Sequence, residues 1–193
     1  MEELFEVVNS ANQTIGIQKP RWFVHENRLW HRTVHVYVID THGRFLIHKR
    51  SEHKDVSPGL WDARIGGHII AGHTAIDTAV REFVEELGYT ITYRSLLKGS
   101  MRQSNTKKTH RQFAQIFYYF FTGSQEDFHF ADDEIQKAEF VAPWRIVWKM
   151  FRQPADWSGG GHWEFIRVWL GWVMKGRSRK YIASEFRPEL EWE

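Results

Sequence analysis

Gly67-His68-Ile69-Ile70-Ala71-Gly72-His73-Thr74-Ala75-Ile76-Asp77-Thr78-Ala79-Val80-Arg81-Glu82-Phe83-Val84-Glu85-Glu86-Leu87-Gly88-Tyr89 is the stretch on which the fold turns. Its second half predicts a helix from about Thr74 to Leu87. Thr74 and Asp77 have capping-box spacing, so their side chains can satisfy early backbone donors. Ile76, Ala79, Val80, Phe83 and Leu87 recur at helical spacing as an apolar stripe. Gly88 stops the helix, because glycine takes the left-handed conformation at a helix end. Glu82, Glu85 and Glu86 fall together within an arc of roughly 100°. Three carboxylates so placed repel one another, and two lie in the last turn, where the helix dipole disfavours anions. Arg81 balances part of that charge. Mg²⁺ would relieve the rest, since it prefers carboxylate oxygens and completes its shell with water and phosphate. A solvated acidic face explains the triad taken alone, so the surrounding sequence decides.

Outward from this stretch, Phe5–Val8 and Thr14–Ile17 read as a β-hairpin around Asn9-Ser10-Ala11-Asn12. Val34–Ile39 is a strong strand, turning through Asp40-Thr41-His42-Gly43 into a partner strand at Arg44–His48. Ser57-Pro58-Gly59 breaks the chain before Leu60–Ile65, and Gly66-Gly67 opens a loop that ends near His73. Further strands are expected at Thr90–Leu97, Phe113–Phe121 and Ala138–Val141. Helices are expected from Pro143 to Met150 and from His162 to Met174. This irregular alternation predicts an α/β (α+β) fold, a mixed sheet sandwiched between helices, with an N-terminal hairpin and a C-terminal helical extension. A chain of 193 residues suits one domain, with hairpin 1–20, core about 30–150 and C-terminal helices 155–183.

The formal net charge of +2 supplies no global field for nucleic acid or membrane, and neither is expected as a partner. The absence of cysteine excludes disulfides, thiolate nucleophiles and Cys-bound zinc. Met1-Glu2-Glu3-Leu4-Phe5 lacks the apolar segment of a secretory signal, and no run approaches the roughly 20 apolar residues of a spanning helix. A cytoplasmic protein is the expectation. Ten tryptophans, many in the C-terminal third, read either as packing aromatics or as a stacking surface for a planar ligand.

Glycine, five residues, His73, seven residues, then Arg81-Glu82-Phe83-Val84-Glu85-Glu86-Leu87-Gly88-Tyr89 resembles the Nudix box. One fixed position departs: His73 stands where the family has Glu. The resemblance implies hydrolysis of a diphosphate linkage in a small molecule. Mg²⁺ (or Mn²⁺) would be held by Glu82, Glu85, Glu86 and the Gly67 carbonyl, with Arg81 orienting a carboxylate. The general base would be a box glutamate or a carboxylate among Asp132, Asp133 and Glu134, which also read as a polar turn. The family's Glu at the His73 position braces the Arg. Its loss leaves two readings, a site that tolerates the change and a catalytically weakened binding protein.

Leu29-Trp30-His31-Arg32-Thr33-Val34-His35-Val36, Lys49-Arg50-Ser51 and Ser57-Pro58-Gly59-Leu60-Trp61-Asp62 resemble the isopentenyl-diphosphate isomerase-like branch. The isomerases carry a catalytic cysteine where this chain has Gly66, and glutamates in a later strand where none stands around His110–Gln112. A hydrolase is expected, not an isomerase. His31 and His68 match isomerase metal positions. They and His35 read either as packed histidines or, for His68 and His31, as a diphosphate pocket lining. Arg102, Lys107, Lys108 and Arg111 read as a solvated polar loop or as a phosphate-recognition cluster, with Arg102 and Arg111 the substrate-binding candidates. The Trp-rich C-terminal helices cover the pocket or form a homodimer surface; the sequence leaves both open.

Overall fold

The computed structural model describes residues 2–54, 56–106, 110–130, 134–159 and 161–176. Its elements run β1 (Leu4–Val8), β2 (Thr14–Pro20), α1 (Arg21–Glu26), β3 (His31–Asp40), β4 (Phe45–Arg50), β5 (Trp61–Asp62), α2 (Ala75–Leu87), β6 (Leu96–Thr106), β7 (His110–Phe121), β8 (Ile135–Val141), α3 (Pro143–Arg152) and α4 (Gly161–Gly176).

β3 lies inside a six-stranded sheet ordered β5-β4-β3-β7-β6, with β8 also paired to β4. β3 and β7 run parallel while the other pairs are antiparallel, so the sheet is mixed. Successive side chains of β3 alternate between faces. Val34, Val36 and Val38 meet Phe83 and Leu87 of α2 in one core cluster. Tyr37 and Ile39 meet Ile146 of α3 and Phe165 of α4 in the other. Full burial of a side chain such as Phe83 or Leu87 contributes about 1.5–3 kcal/mol, which fixes α2 against the sheet. The β1–β2 hairpin and α1 add a third cluster, Phe5, Val7 and Val24. Among the described residues, no helix is long and apolar enough to cross a membrane.

Several expectations are corrected. Within Leu60–Ile65, Trp61–Asp62 forms a short strand, and Ile65 makes an isolated bridge to Val36 as the chain crosses onto β3. Thr90-Ile91-Thr92 is not strand despite its β-branched residues. It leads into a 3₁₀ turn at Tyr93–Ser95, where the Ser95 N–H and hydroxyl both donate to Thr92 O. The strand that follows reaches Thr106, through Lys98-Gly99-Ser100-Met101-Arg102-Gln103-Ser104-Asn105, a polar run without apolar alternation because β6 is a sheet edge. Arg102 therefore lies on a strand and not in a loop. The C-terminal helices are Pro143–Arg152 and Gly161–Gly176, separated by a 3₁₀ turn at Pro154–Asp156, so the segment beginning at 155 is not helical throughout. Asp132, Asp133, Lys107, Lys108 and the basic-then-acidic tail from Arg177 lie outside the described residues.

Candidate active site

α2 forms as its sequence dictates. Thr74 caps it, accepting from Asp77 N at 3.3 Å, and Gly88 closes it in the left-handed conformation at φ 61°. Phe83 and Leu87 bury one face, and Glu86 is carried into the boundary between that face and the adjacent surface. The loop before α2 supplies the opposing wall. The Gly66 N–H donates to Glu86 Oε1 at 3.1 Å, and Gly67 O accepts from Val34 N at 2.9 Å.

Close approach constrains both glycines, Gly66 against backbone and Gly67 against the carboxylate of Glu82. A Cβ at Gly67 would stand 2.3 Å from Glu82 Oε1, and one at Gly66 would stand 2.0 Å from Val34 O. The second contact is with backbone, so the backbone of this chain, as it stands at Gly66, leaves no room for a side chain where the isomerases place their cysteine.

Arg81 pairs with Glu82 Oε1 at 2.5 Å and Glu85 Oε2 at 2.7 Å. His73 is exposed on the loop before the helix. With Glu82 and Glu85 as partners, Arg81 is paired although His73 stands where the family has its bracing Glu. Burial pushes the Glu82 carboxyl up to about 7; Arg81 opposes the rise and Glu85 adds to it. Burial, then the charge of Glu82, pushes Glu86 up to about 8 against the Gly66 hydrogen bond. Burial and mutual repulsion thus disfavour the charged form of both carboxyls in the metal-free site.

Glu82, Glu85 and Glu86 open on a cavity of about 520 Å³ that Arg81, Gly67 and His68 also line. Arg102 and Arg111 are not among its described lining residues. Its further cations are Arg21, Arg50, Lys54 and Arg64, which the sequence reading did not assign to the pocket. Lys49-Arg50-Ser51 was visible as part of the isomerase-like pattern; Arg21 and Lys54 carried no periodic or motif signal. Glu134 lines the cavity and pairs with Lys54, so it reaches the site from the entry to β8.

Arg64 is held by Asp62, Nε at 2.9 Å and Nη2 at 3.0 Å, while the Ser158 hydroxyl donates to the same carboxylate. Burial would raise the Asp62 carboxyl, but the Arg64 guanidinium beside it prevails and holds it below the ordinary carboxylate range. This network ties the segment before α4 to the pocket floor.

A second group of donors lies at the other end. His25, His31 and His68 bring ligand nitrogens within 4.8 Å of one another, with His25 Nε2 and His68 Nε2 3.1 Å apart. Phe5 stacks on His68 at 4.6 Å between centroids. Because a carbonyl only accepts, the 3.0 Å contact of His31 Nδ1 with Leu29 O puts a proton on Nδ1 and, in the neutral ring, the lone pair on Nε2. Imidazoles suit zinc-like ions better than Mg²⁺. His25 was missed in sequence because α1, its helix, has one buried residue and no apolar stripe.

The family comparison agrees with this architecture. The NUDIX domain model matches residues 29–163. An uncharacterised Nudix hydrolase of Clostridium acetobutylicum is 33% identical over 140 residues, 69% of this chain and 67% of the relative. The isopentenyl-diphosphate Delta-isomerase of Serratia proteamaculans is 27% identical over 183 residues, 91% of each chain. The crystal structure of DR0079 from Deinococcus radiodurans superposes with a TM-score of 0.67 at 21% identity, covering 82% of this chain and 93% of that one. The chain spans less than half the length of the relatives it matches in Arabidopsis thaliana, Salmonella typhi and Yersinia pestis. A mixed sheet between helices, with a glutamate-bearing helix packed against a glycine loop, is the Nudix architecture. This chain belongs to the Nudix family, with the isomerase-like members among its relatives.

Proposed function

We propose that the chain hydrolyses a diphosphate linkage in a nucleoside diphosphate derivative or a related small organic diphosphate, with Mg²⁺ or Mn²⁺ as cofactor. The observation that carries this reading is the convergence of Glu82, Glu85 and Glu86 on one cavity beside Gly67, facing the cations Arg21, Arg50 and Lys54. The donor set fits a hard cation. Two of its carboxyls are pushed to about 7 and about 8 by burial and mutual charge, and a cation would reverse that cost.

Glu82, Glu85, Glu86 and the second lone pair of Gly67 O would hold the ion. Bound there, such an ion supplies charge neutralisation on the diphosphate and a lower pKa for water. The chain's own residues do the rest. Arg81 fixes Glu82 and Glu85 in place. Arg50 and Arg21 offer fixed positive charge to substrate phosphate oxygens. Glu134, in the cavity and paired with Lys54, is a candidate for general base beside the box glutamates. His73→Glu changes turnover by no more than about fivefold, the scale of an exposed ion pair, because Arg81 already has its partners.

The test is incubation with Mg²⁺ or Mn²⁺ and a panel of nucleotide sugars, dinucleoside polyphosphates, ADP-ribose, NADH, coenzyme A and prenyl diphosphates. Glu86→Gln is the blank. Metal-dependent release of phosphatase-sensitive phosphate, lost in the variant, is the expected result. Silence on every compound would favour the weakened binding protein, and a large gain of activity in His73→Glu would establish it.

A further inference from the structure

α3 turns Trp144, Trp148 and Phe151 outward, and α4 turns Trp163 outward; all four are between 58% and 67% exposed. On α3 the three aromatics fall in an arc of about 60°, away from the buried Ile146 and Met150, and Arg145, Lys149 and Arg152 fill the next arc. On α4, Trp163, Arg167, Leu170 and Met174 form one outward stripe. The two stripes join where Phe151 meets His162 edge-on at 5.6 Å and His162 meets Trp163 at 5.2 Å.

Among the described residues of this face, cations outnumber acids. Arg145 lies 5.1 Å over Trp144 and Arg152 lies 6.0 Å over Trp148, both exposed. Lys149 is drawn aside, 5.8 Å over Trp61 and 3.8 Å from Glu139. α3 contains no acid. Glu164, the acid of α4, is half-buried and faces Arg64 at 3.9 Å. Asp156, on the turn between the helices, is the nearby exposed acid.

We propose that this face is a peripheral docking surface for an anionic lipid bilayer. In that contact the aromatic rings and Met174 sit among headgroups, and Arg145, Arg152 and Arg167 meet the lipid anions. Exposed apolar patches of this extent mark interaction surfaces. A second copy of this chain is a poor occupant, because an isologous contact would oppose these cations with few acids to pair them. Nucleic acid would use the rings and cations on a grooved surface, but leaves Leu170 and Met174 without a role. An anionic bilayer uses all three features: interfacial rings, shallow aliphatic insertion and a basic fringe.

The test is co-sedimentation of the full chain with phosphatidylcholine vesicles, with and without phosphatidylglycerol, across a salt series. The chain is expected to bind the anionic vesicles, release with salt, and leave the neutral ones largely unbound. Arg145→Glu with Arg152→Glu, and separately Trp148→Ser with Trp163→Ser, should each weaken partition at least about tenfold. Thermal melts by circular dichroism verify folding of each pair, and either folded pair suffices. Absence of binding to anionic vesicles at low salt would overturn the proposal, as would partition unchanged in the folded variants. It would equally be overturned if the same variants abolished a dimer or oligonucleotide binding while vesicles stayed unbound.

Discussion

Glu86 accepts a hydrogen bond from the Gly66 N–H inside a site that also contains Glu82. Folding raises both carboxyls, to about 8 and about 7, above the ordinary 4.5. Without metal, the folded state therefore keeps protons that the unfolded chain has released. Their contribution to stability is full below about pH 4.5 and is lost as pH rises through 7 to 8. The chelated protein should melt at progressively lower temperature from pH 6.5 to pH 8, above the range in which the unfolded counterparts of the buried His35 and His48 take up protons and offset the trend. Glu86→Gln should flatten that slope, and added Mg²⁺ should raise the wild-type melt most at the alkaline end. Calorimetry in chelator tests this; a pH-independent melt in the wild type would contradict the burial of these charges. Gly67→Ala should cut activity at least about a hundredfold, on the scale of a misplaced catalytic group, because its Cβ would stand on the Glu82 carboxylate. Activity near wild type would show that Glu82 is free to move. The spacing of Glu82, Glu85 and Glu86 was legible in sequence because i, i+3 and i+4 is a local relation. Arg21, Arg50, Lys54 and His25 were not assigned to the pocket, because loops and a short helix bring them in from distant parts of the chain.

At the scale of elements, α2 is the part whose limits were readable to within a residue. Thr74 and Gly88 act through local backbone chemistry that needs no tertiary information. Thr74→Ala should cost about 1 kcal/mol of stability. Gly88→Ala should cost more than about 1–2 kcal/mol, since it forces a left-handed alanine and also places a Cβ 1.9 Å from His129 O. Denaturant unfolding of the two variants checks the order; an equal or smaller loss for Gly88→Ala would mean that the helix end relaxes. β6 and α1 failed to show in sequence for opposite reasons. β6 is a solvent-facing edge without apolar alternation, held by its ladder with β7. α1 is six residues long, with Val24 as its buried residue. The pairing of β3 with β7 is equally invisible locally, since it joins His31 to Gln112 across the length of the core.

For the whole molecule, two buried histidines of the sheet shape the response to acid. His35 shares the β3 face of Tyr37 and Ile39, which α3 and α4 cover, whereas His48 shares the β4 face of Leu46, on the α2 side. Burial lowers His35 to about 3, with Arg64 adding to the effect, and lowers His48 to about 4 against the pull of Asp62. Their stabilising contribution is present above the ordinary 6.5 and is lost as pH falls toward 4 and 3. With Mg²⁺ saturating, denaturant midpoints should fall between pH 7 and pH 5, and His48→Gln should lose less than wild type over that interval. An identical fall in the variant would assign the acid sensitivity elsewhere. These layers meet at the cavity, where α2 brings acids, the β1–β2 hairpin leads into α1 with Arg21, and the segment after β4 brings Lys54. In the proposed function, the acids on α2 would hold a divalent cation for diphosphate hydrolysis. The most direct measurement is turnover of the best panel substrate against Mg²⁺ concentration, by wild type and by Glu82→Gln. A saturable metal dependence in the wild type, with turnover lost in the folded variant, is the predicted result. Turnover that persists in chelator, or that is unchanged by Glu82→Gln, would contradict it.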